Sequence, residues 1–442
     1  MKRKLCEEII QSKFDELASI INRGDSDELR RVFETGQLTD INEPKVLSGS
    51  TLLMIACKSG FIDCVKVLLD YKADLNHPDQ HDSLLSCVCA SGNVEMVRFI
   101  IASGFKISDE AIMNVFKTND LMINTEVISI LVEYIVNINY VSNEDIIADF
   151  HSTYMSWASR TGNVGIVHSL LERGADVHEK DLMIASNNGH LEAMKVFLDL
   201  EFADKRLSSE RLLSVLTHVS YCGHLHIVRY FFENWILDGS DLTSALTTAA
   251  LSNQVDVIEF LLDLASRKGD KYIIPISDKS RVFFRACREN FIDMVRVLLR
   301  YGTDPNTADT NGFFPIEIAL LYPGIVEILL EAGANPNIHF TNGRTPLFEI
   351  CVSGHEVALE VTALLLRYGA DPNLAHEDAG VTPLMPAAYE MHIDLVRLLL
   401  EHGADVTHVC NAGFSILDII GSDPRYTEVV ELCMQYMRPI LK

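Results

Sequence analysis

Positive charge is scarce in this chain of 442 residues. Its 37 Lys and Arg residues stand against 62 Asp and Glu residues, which gives a formal net charge of −25. Binding the phosphate backbone of a nucleic acid requires clustered Lys and Arg side chains. The basic cluster Lys2-Arg3-Lys4 is too small to provide them. We therefore expect no nucleic-acid partner.

Long apolar runs and paired-cysteine motifs are also missing. No stretch approaches 18 consecutive apolar residues, so no membrane insertion is expected, and no apolar segment follows the basic start as in a signal peptide. The ten cysteines include no CxxC pair, which predicts free thiols in a reducing compartment. We expect a monomer in the cytoplasm, with the nucleus as the alternative location.

Motifs that carry catalysis or ligand binding are absent as well: there is no P-loop, no GxGxxG after a strand, no HExxH and no EF-hand loop. His224 lies near Cys222 and His226, but a zinc site needs three or four ligands within tetrahedral reach. The sequence predicts no enzyme, no catalytic residue, no cofactor and no metal site. An enzyme would require a fold hidden in residues 111–148, and the helical apolar pattern there argues against one.

What the chain does contain is a repeated helical pattern. Apolar residues at i, i+3 and i+4 recur in stretches such as Cys64-Val65-Lys66-Val67-Leu68-Leu69, the spacing of one buried helix face. A small-residue helix ending in a glycine turn precedes each stretch. The turn glycines are Gly60, Gly92, Gly162, Gly189, Gly223 and Gly354. Single steps of 27 to 34 residues indicate one helix-turn-helix per period and about twelve helix pairs, stabilised by stacking.

These units resemble the ankyrin repeat family. Its T-P-L-H-x-A opening, N-G-H-L-E segment and G-A-D-x-N ending are matched by Thr345-Pro346-Leu347-Phe348, Asn188-Gly189-His190-Leu191-Glu192 and Gly369-Ala370-Asp371-Pro372-Asn373. The resemblance implies an all-α ankyrin-repeat solenoid of stacked helix-turn-helix units with short β-hairpin-like finger loops. His190, His224 and His355 fall at the family's turn histidine, and Cys57, Cys89, Cys287 and Cys351 at its buried alanine.

The motifs divide the chain into six blocks. We expect N-terminal capping helices in 1–48, ankyrin repeats in 49–110, a divergent repeat in 111–148, repeats with reduced fingers in 149–279, repeats closest to the family pattern in 280–413, and a C-terminal capping helix pair in 414–442. The last pair has a polar face (Arg425, Glu428, Glu431 and Gln435), as a terminal repeat needs to stay soluble.

The resemblance implies that a protein partner binds on the concave face, formed by finger loops and first helices. At the two positions before each turn, the candidate contact residues are Arg160, Tyr221, Arg288, Tyr322, Tyr389 and Glu390. In the finger loops, they are Asp309, Asn311, Phe340, Arg344, Glu377 and Asp378. Tyr and Arg are enriched among interface anchors, although these tyrosines could equally be ordinary surface residues. Phe340, at a finger tip, has no evident core to enter.

Acidic residues expected in the loops (Asp79, Asp82, Glu179, Asp181 and Asp309) predict an acidic finger edge. That edge favours a partner with a basic patch, while the same charge would also simply keep a long array soluble. The sequence thus predicts an intracellular protein-protein interaction scaffold or adaptor. The alternative is a regulatory inhibitor that masks a partner's active site or localisation signal.

Overall fold

The computed structural model describes residues 2–35, 41–42, 50–76, 84–118, 125–141, 153–203, 208–235, 237–269, 271–421 and 423–437. The side chains of residues 2–11, 117–118, 179 and 201–203 are outside this description. Asp79 and Asp82, expected on the acidic finger edge, also lie outside it. The chain divides into two compact units, residues 1–208 and 209–442, which we call the N-terminal and C-terminal units.

Within its described residues, the N-terminal unit holds six helix pairs. They are Lys2–Arg23 (α1) and Ser26–Glu34 (α2), Leu52–Lys58 (α3) and Ile62–Asp70 (α4), Leu84–Ala90 (α5) and Val94–Ala102 (α6), Asp109–Thr118 (α7) and Thr125–Glu133 (α8), Tyr154–Thr161 (α9) and Val164–Glu172 (α10), and Glu179–Asn187 (α11) and Leu191–Ala203 (α12). First helices pack on first helices, as in α3 with α5 and α9 with α11, and second helices on second helices, as in α2 with α4.

The C-terminal unit adds seven pairs and one 3-10 turn. They are Ser209–Cys222 (α13) and Leu225–Asn234 (α14), Gly239–Leu251 (α15) and Val255–Arg267 (α16), Ile276–Arg288 (α17) and Ile292–Arg300 (α18), Pro315–Ala319 (α19) and Pro323–Glu331 (α20), Pro346–Ser353 (α21) and Ala358–Arg367 (α22), Leu384–Tyr389 (α23) and Ile393–Glu401 (α24), and Ile416–Ile420 (α25), a 3-10 turn at Pro424–Tyr426 and Thr427–Met437 (α26). The described residues therefore hold 26 helices in thirteen pairs, close to the expected number, and confirm the all-α repeat fold.

Local chemistry explains where the first helices begin. The hydroxyl of Thr51 accepts a hydrogen bond from the Met54 backbone N–H, and that of Thr345 accepts one from Phe348. Each threonine thus caps a helix N-terminus, where backbone donors lack partners. Pro346 follows Thr345 at the first helical position, where a missing N–H costs nothing.

The turn inside most of the described pairs contains a residue with a left-handed backbone. Gly162 and Gly354 have φ of 69° and 60°, which glycine adopts without steric cost. Asn253 and Asn290 occupy the equivalent positions with φ of 57° and 58°, and asparagine is one of the few other residues that tolerates this region. A search of the sequence for turn glycines alone therefore misses the turns in which asparagine occupies this position.

The core lies between the two helix layers of each unit and is mostly apolar. The cysteines expected at the family's buried alanine position, Cys57, Cys89, Cys287 and Cys351, are all buried and unpaired, which confirms that expectation. At the C-terminal end, Arg425, Glu428, Glu431 and Gln435 are all exposed. The predicted polar face of the terminal helix is thus confirmed, whereas the six block boundaries stay predictions.

Candidate protein-binding face

Six residues of the C-terminal unit occupy the same place in successive repeats, at the end of the first helix. We call them the first-helix row: Tyr221, Leu251, Arg288, Leu321, Val352 and Tyr389. All six are exposed, with 49% of Tyr221, 44% of Leu251 and 54% of Tyr389 accessible. Because packed helices lie about 8–10 Å apart, this repetition places an exposed apolar side chain at almost every step along one face.

Hydrogen bonds between neighbouring repeats hold this row together. The carbonyl oxygen of Tyr221 accepts bonds from the Ser252 hydroxyl and, at 3.1 Å, from the Gln254 side-chain amide. The carbonyl of Tyr389 accepts a bond from the Tyr426 hydroxyl at 3.1 Å. These bonds are made by the backbone, so the side chains of Tyr221 and Tyr389 remain turned to solvent.

The equivalent positions of the N-terminal unit differ in chemistry. Lys58, Ala90, Arg160 and Asn187 stand there, and all four are exposed. The carbonyl of Arg160 accepts a bond from His190 Nε2 at 2.8 Å, which is the turn-stabilising role expected for that histidine. Five of the six C-terminal positions are Tyr, Leu or Val, whereas none of these four is. Among the residues that the structure describes, the apolar face is therefore a property of the C-terminal unit.

A groove of about 680 Å³ adjoins the first-helix row between α15, α17 and the finger loop at residues 308–311. Three residues nominated from the sequence, Arg288, Asp309 and Asn311, line it together. Leu251 of the row forms part of its wall, and so does Ile276, which is 80% exposed. The groove thus brings predicted and unpredicted residues into one site.

The finger loops are tight turns, as their sequences predicted. Asp309 N–H donates to the Phe313 carbonyl at 2.8 Å, and Phe340 N–H donates to the Arg344 carbonyl at 2.8 Å. In the next finger, Glu377 N–H reaches back to the Gly343 carbonyl at 3.1 Å. Successive fingers are therefore tied to each other through their backbones, which fixes the side chains that project from them.

Phe340 is not the exposed fingertip residue that we expected. Only 3% of it is accessible, and its ring stacks on Phe314 with 6.5 Å between ring centroids. The prediction was wrong because the preceding finger supplies the apolar neighbour that residues 340–344 alone do not contain. A buried ring cannot contact a partner, so Phe340 is a core residue.

The other nominated residues fall into two groups. Arg160, Asn311, Glu377, Asp378 and Glu390 are exposed and stay candidates for contact. Tyr322 is half-buried, and its neighbour Leu321 takes the exposed place in the row instead.

Arg344 is half-buried and already engaged within the chain. It forms an ion pair with Glu349 at 3.0 Å and lies over the ring of Phe348, 5.6 Å from the centroid. Arg344 therefore stabilises its own finger.

Two of the residues expected on the acidic finger edge, Asp181 and Asp309, are held by hydrogen bonds within the chain. Asp181 is fully buried in α11, where its carboxylate accepts bonds from the Ser156 hydroxyl at 2.8 Å and the His178 N–H at 2.8 Å. Placing Asp181 in a loop was wrong, because its carboxylate caps the helix N-terminus. Asp309 is half-buried, with Oδ1 accepting from the N–H groups of Asn311 and Phe313. Glu377 and Asp378 remain as exposed acidic finger residues.

Three segments of the chain, residues 17–111, 182–273 and 316–410, match the family described as ankyrin repeats (3 copies). Together they cover well over half of the sequence. The chain belongs to the ankyrin repeat family. The matched segments include parts of both units, in agreement with the helix pairs that the structure shows in each.

Similar ankyrin-containing proteins come from distant sources. An ankyrin repeat and KH domain-containing protein, mask-1, of Caenorhabditis elegans is 24% identical over 57% of this chain and 10% of its own length. A putative palmitoyltransferase of Danio rerio is 27% identical over 39% of this chain and 26% of its own length. A putative ankyrin repeat protein of Fowlpox virus (strain NVSL) is 31% identical over 40% of this chain and 54% of its own length. The chain thus spans at most about half the length of these relatives.

Two residues of this ankyrin repeat face were missed by sequence reasoning. Leu251 precedes Ser252-Asn253, where asparagine replaces the turn glycine, so the turn was not recognised. Ile276 opens α17 and resembles a core residue in sequence, yet it is exposed. Among the residues that the structure describes, no group of three metal-ligand side chains is found, and no helix is long and apolar enough to cross a bilayer.

Proposed function

We propose that this ankyrin repeat chain is a protein-interaction scaffold or adaptor that binds a protein partner through the first-helix row and the adjoining fingers of its C-terminal unit. The row carries the proposal. Exposed apolar side chains scattered singly are ordinary on protein surfaces, but a contiguous apolar strip is typical of an interaction site. The row repeats such side chains at one position in successive repeats.

The chemistry of the row suits protein recognition. Tyrosine and arginine anchor interfaces because each offers a large contact area together with a hydrogen-bonding group. The row has Tyr221 and Tyr389 near its ends and Arg288 between them. Exposed Glu377 and Asp378 on the fingers favour basic residues in the part of the partner that lies against them. Since the repeats hold these groups in place before binding, little ordering entropy is lost.

The test is affinity capture with the full chain and with the variant Tyr221→Ser/Leu251→Ser/Tyr389→Ser. All three side chains are about half exposed, so the variant should keep its fold, which circular dichroism and urea unfolding would verify. The matched control is Ile292→Ser/Leu359→Ser/Met434→Ser, because these residues have similar exposure but lie on second helices. We expect a discrete partner retained by the parent and the control and lost by the row variant.

Equal capture by all three proteins would contradict the proposal. So would a self-associated state in sedimentation that only the row variant abolishes, since the row would then serve a second copy rather than another protein. The partner's own activity, measured free and bound, separates an adaptor from the alternative, a regulatory inhibitor that masks a partner's site. We place this interaction in the cytoplasm, or alternatively the nucleus, because nine cysteines in the described residues are free thiols.

A further inference from the structure

Three arginines line one face of α17 in the groove described above. Arg281, Arg285 and Arg288 are spaced i, i+4 and i+7 and all border the groove. This spacing places side chains on one side of a helix. The chain as a whole carries a net charge of −25, whereas the lining of this groove has as many arginines as carboxylates, since Asp278, Glu289 and Asp309 also border it.

The three arginines differ in how they are paired. Arg281 forms an ion pair with Asp278, one turn earlier in the same helix. Arg285 is half-buried and donates only to the Leu251 carbonyl at 3.5 Å, while its Nε is buried without a partner. Within the described residues, Arg288 is exposed and forms no ion pair. Two guanidinium groups therefore face the groove without a counter-charge.

The acidic residues at the groove do not neutralise these two groups. Asp278 forms its ion pair with Arg281, and Oδ1 of Asp309 accepts a hydrogen bond from the Asn311 N–H within its own finger turn. Glu289 is exposed beyond the end of α17. A partly desolvated cation without a partner is unfavourable, and an incoming carboxylate would relieve that cost by forming a charge-assisted bond.

The groove wall also contains apolar side chains. Ile276 is 80% and Leu251 44% exposed, and both lie against the same space as the arginines. A volume of about 680 Å³ is in the range that accommodates a ligand of a few side chains. Apolar walls beside unpaired arginines are complementary to a segment that carries both apolar and acidic side chains.

We propose that this groove binds a segment of the partner protein in which Asp or Glu side chains lie next to Leu, Ile or Phe, with the carboxylates on Arg285 and Arg288 and the apolar side chains against Leu251 and Ile276. The proposal rests on the proposed function and specifies the chemistry of the partner at one part of the face. Nucleic acid is the poorer fit, because the surrounding negative charge repels a phosphate backbone.

Fluorescence polarisation of short labelled peptides would test this assignment on the full chain. Four probes share a Gly-Ser frame and carry Glu with Leu, Lys with Leu, Gln with Leu, or Glu with Ser. We expect the Glu-Leu peptide to bind most tightly, and Arg285→Gln/Arg288→Gln to weaken it about tenfold or more, the loss expected when charge-assisted bonds are removed. The control Arg296→Gln/Arg397→Gln, which removes two exposed arginines from second helices, should bind like the parent.

A charge reversal sharpens the test. The variant Arg285→Glu/Arg288→Glu should reject the Glu-Leu peptide and gain affinity for the Lys-Leu peptide, because carboxylates then replace the two unpaired cations and the groove lining becomes negative. No binding of Glu-Leu, or equal binding of all four probes, would overturn the proposal. The proposal would also be overturned if a labelled single-stranded oligonucleotide bound the parent and this binding were lost in Arg285→Gln/Arg288→Gln. If the peptide tests fail but capture of a partner protein still requires Tyr221 and Tyr389, the proposed function stands and only the assignment of the groove is wrong.

Discussion

The side-chain amide of Asn337 clamps the backbone of the next repeat at Asp371. Its Oδ1 accepts the Asp371 N–H at 2.7 Å, and its Nδ2 donates to the Gly369 carbonyl at 2.9 Å. Asn306 makes the same pair of bonds to Asn335 and Gly333, and Asn373 makes it to Asp405 and Gly403. The asparagine that ends each G-A-D-x-N motif is therefore a link between repeats.

We expect Asn337→Asp to destabilise the C-terminal unit by about 1–3 kcal/mol, the usual cost of an unsatisfied polar pair. The carboxylate would face the Gly369 carbonyl, two acceptors with no hydrogen between them. Urea unfolding followed by Trp235 fluorescence in a Trp157→Phe background measures the change, because Trp235 is the only tryptophan of the C-terminal unit. The control is exposed Asn311→Ala, expected within about 0.5 kcal/mol of the parent; equal effects of the two would contradict the inter-repeat role.

The buried carboxylate of Asp181 should make the N-terminal unit sensitive to pH. Burial raises the pKa of Asp181, and the bonds from His178 and Ser156 only partly oppose this. The native state therefore holds this proton to higher pH than the unfolded chain, whose Asp pKa is about 3.9. Between the two pKa values the native state binds more protons, so its stability falls as pH rises and the cost is fully present above the native pKa.

Asp181→Asn removes that charge and keeps one acceptor and a donor at the site. We expect the unfolding free energy of Asp181→Asn to depend less on pH above pH 4 than that of the parent. On going from acid to neutral pH, the variant should therefore lose less stability than the parent. Trp157 fluorescence in a Trp235→Phe background gives both unfolding free energies. Asp181→Ala should cost about 1–3 kcal/mol, because the His178 and Ser156 donors lose their acceptor. Exposed Asp199→Asn is the control, and an unchanged slope in Asp181→Asn would refute the argument.

Phe340 should contribute to stability rather than to binding. Because its ring is buried against Phe314, we expect Phe340→Ala to cost about 3–5 kcal/mol, as for other large-to-small core substitutions. Phe313 lies one finger earlier and is 42% exposed, so Phe313→Ala is a matched control with a cost of about 1 kcal/mol or less. Thermal and urea unfolding give both values, and a mild effect at Phe340 would show that its ring is dispensable to the core.

The buried cysteines should be unreactive in the native chain. Burial raises the pKa of Cys89, Cys287 and Cys351 to about 12, so at pH 8 only about one in 10⁴ of these thiols is the reactive thiolate. We expect site-resolved labelling with a thiol reagent to modify half-buried Cys87 and Cys222 before these three, which should react only as the chain unfolds. Rapid labelling of Cys351 without unfolding would contradict its burial.

Much of the fold was predictable because its signals are local. The i, i+3, i+4 apolar spacing defines each second helix, the Thr-Pro pair of Thr345 and Pro346 defines the start of a first helix, and glycine marks most turns. Cys351 was predicted to be buried because it falls at the position where the ankyrin family places a buried alanine. Each of these features depends on residues within one period, so the sequence contains all the information that decides them.

The candidate site was predictable only in part. Arg288, Asp309 and Asn311 were nominated separately, and the structure brings them into one groove with Leu251 and Ile276. Leu251 was missed because an asparagine turn stands where glycine was sought. The position of Arg344, engaged with Glu349 and Phe348, could not be read from a finger sequence that looks free.

The sequence by itself determined the repeat, the helix pairs and the apolar side of each helix, because these follow from short-range backbone and side-chain preferences. Tertiary structure alone decided that Phe340 is buried, that Asp181 is enclosed, and that Ile276 stands beside the unpaired Arg285 and Arg288. The physical reason is that exposure at a repeat boundary depends on what the neighbouring repeat presents, and that neighbour lies some thirty residues away along the chain.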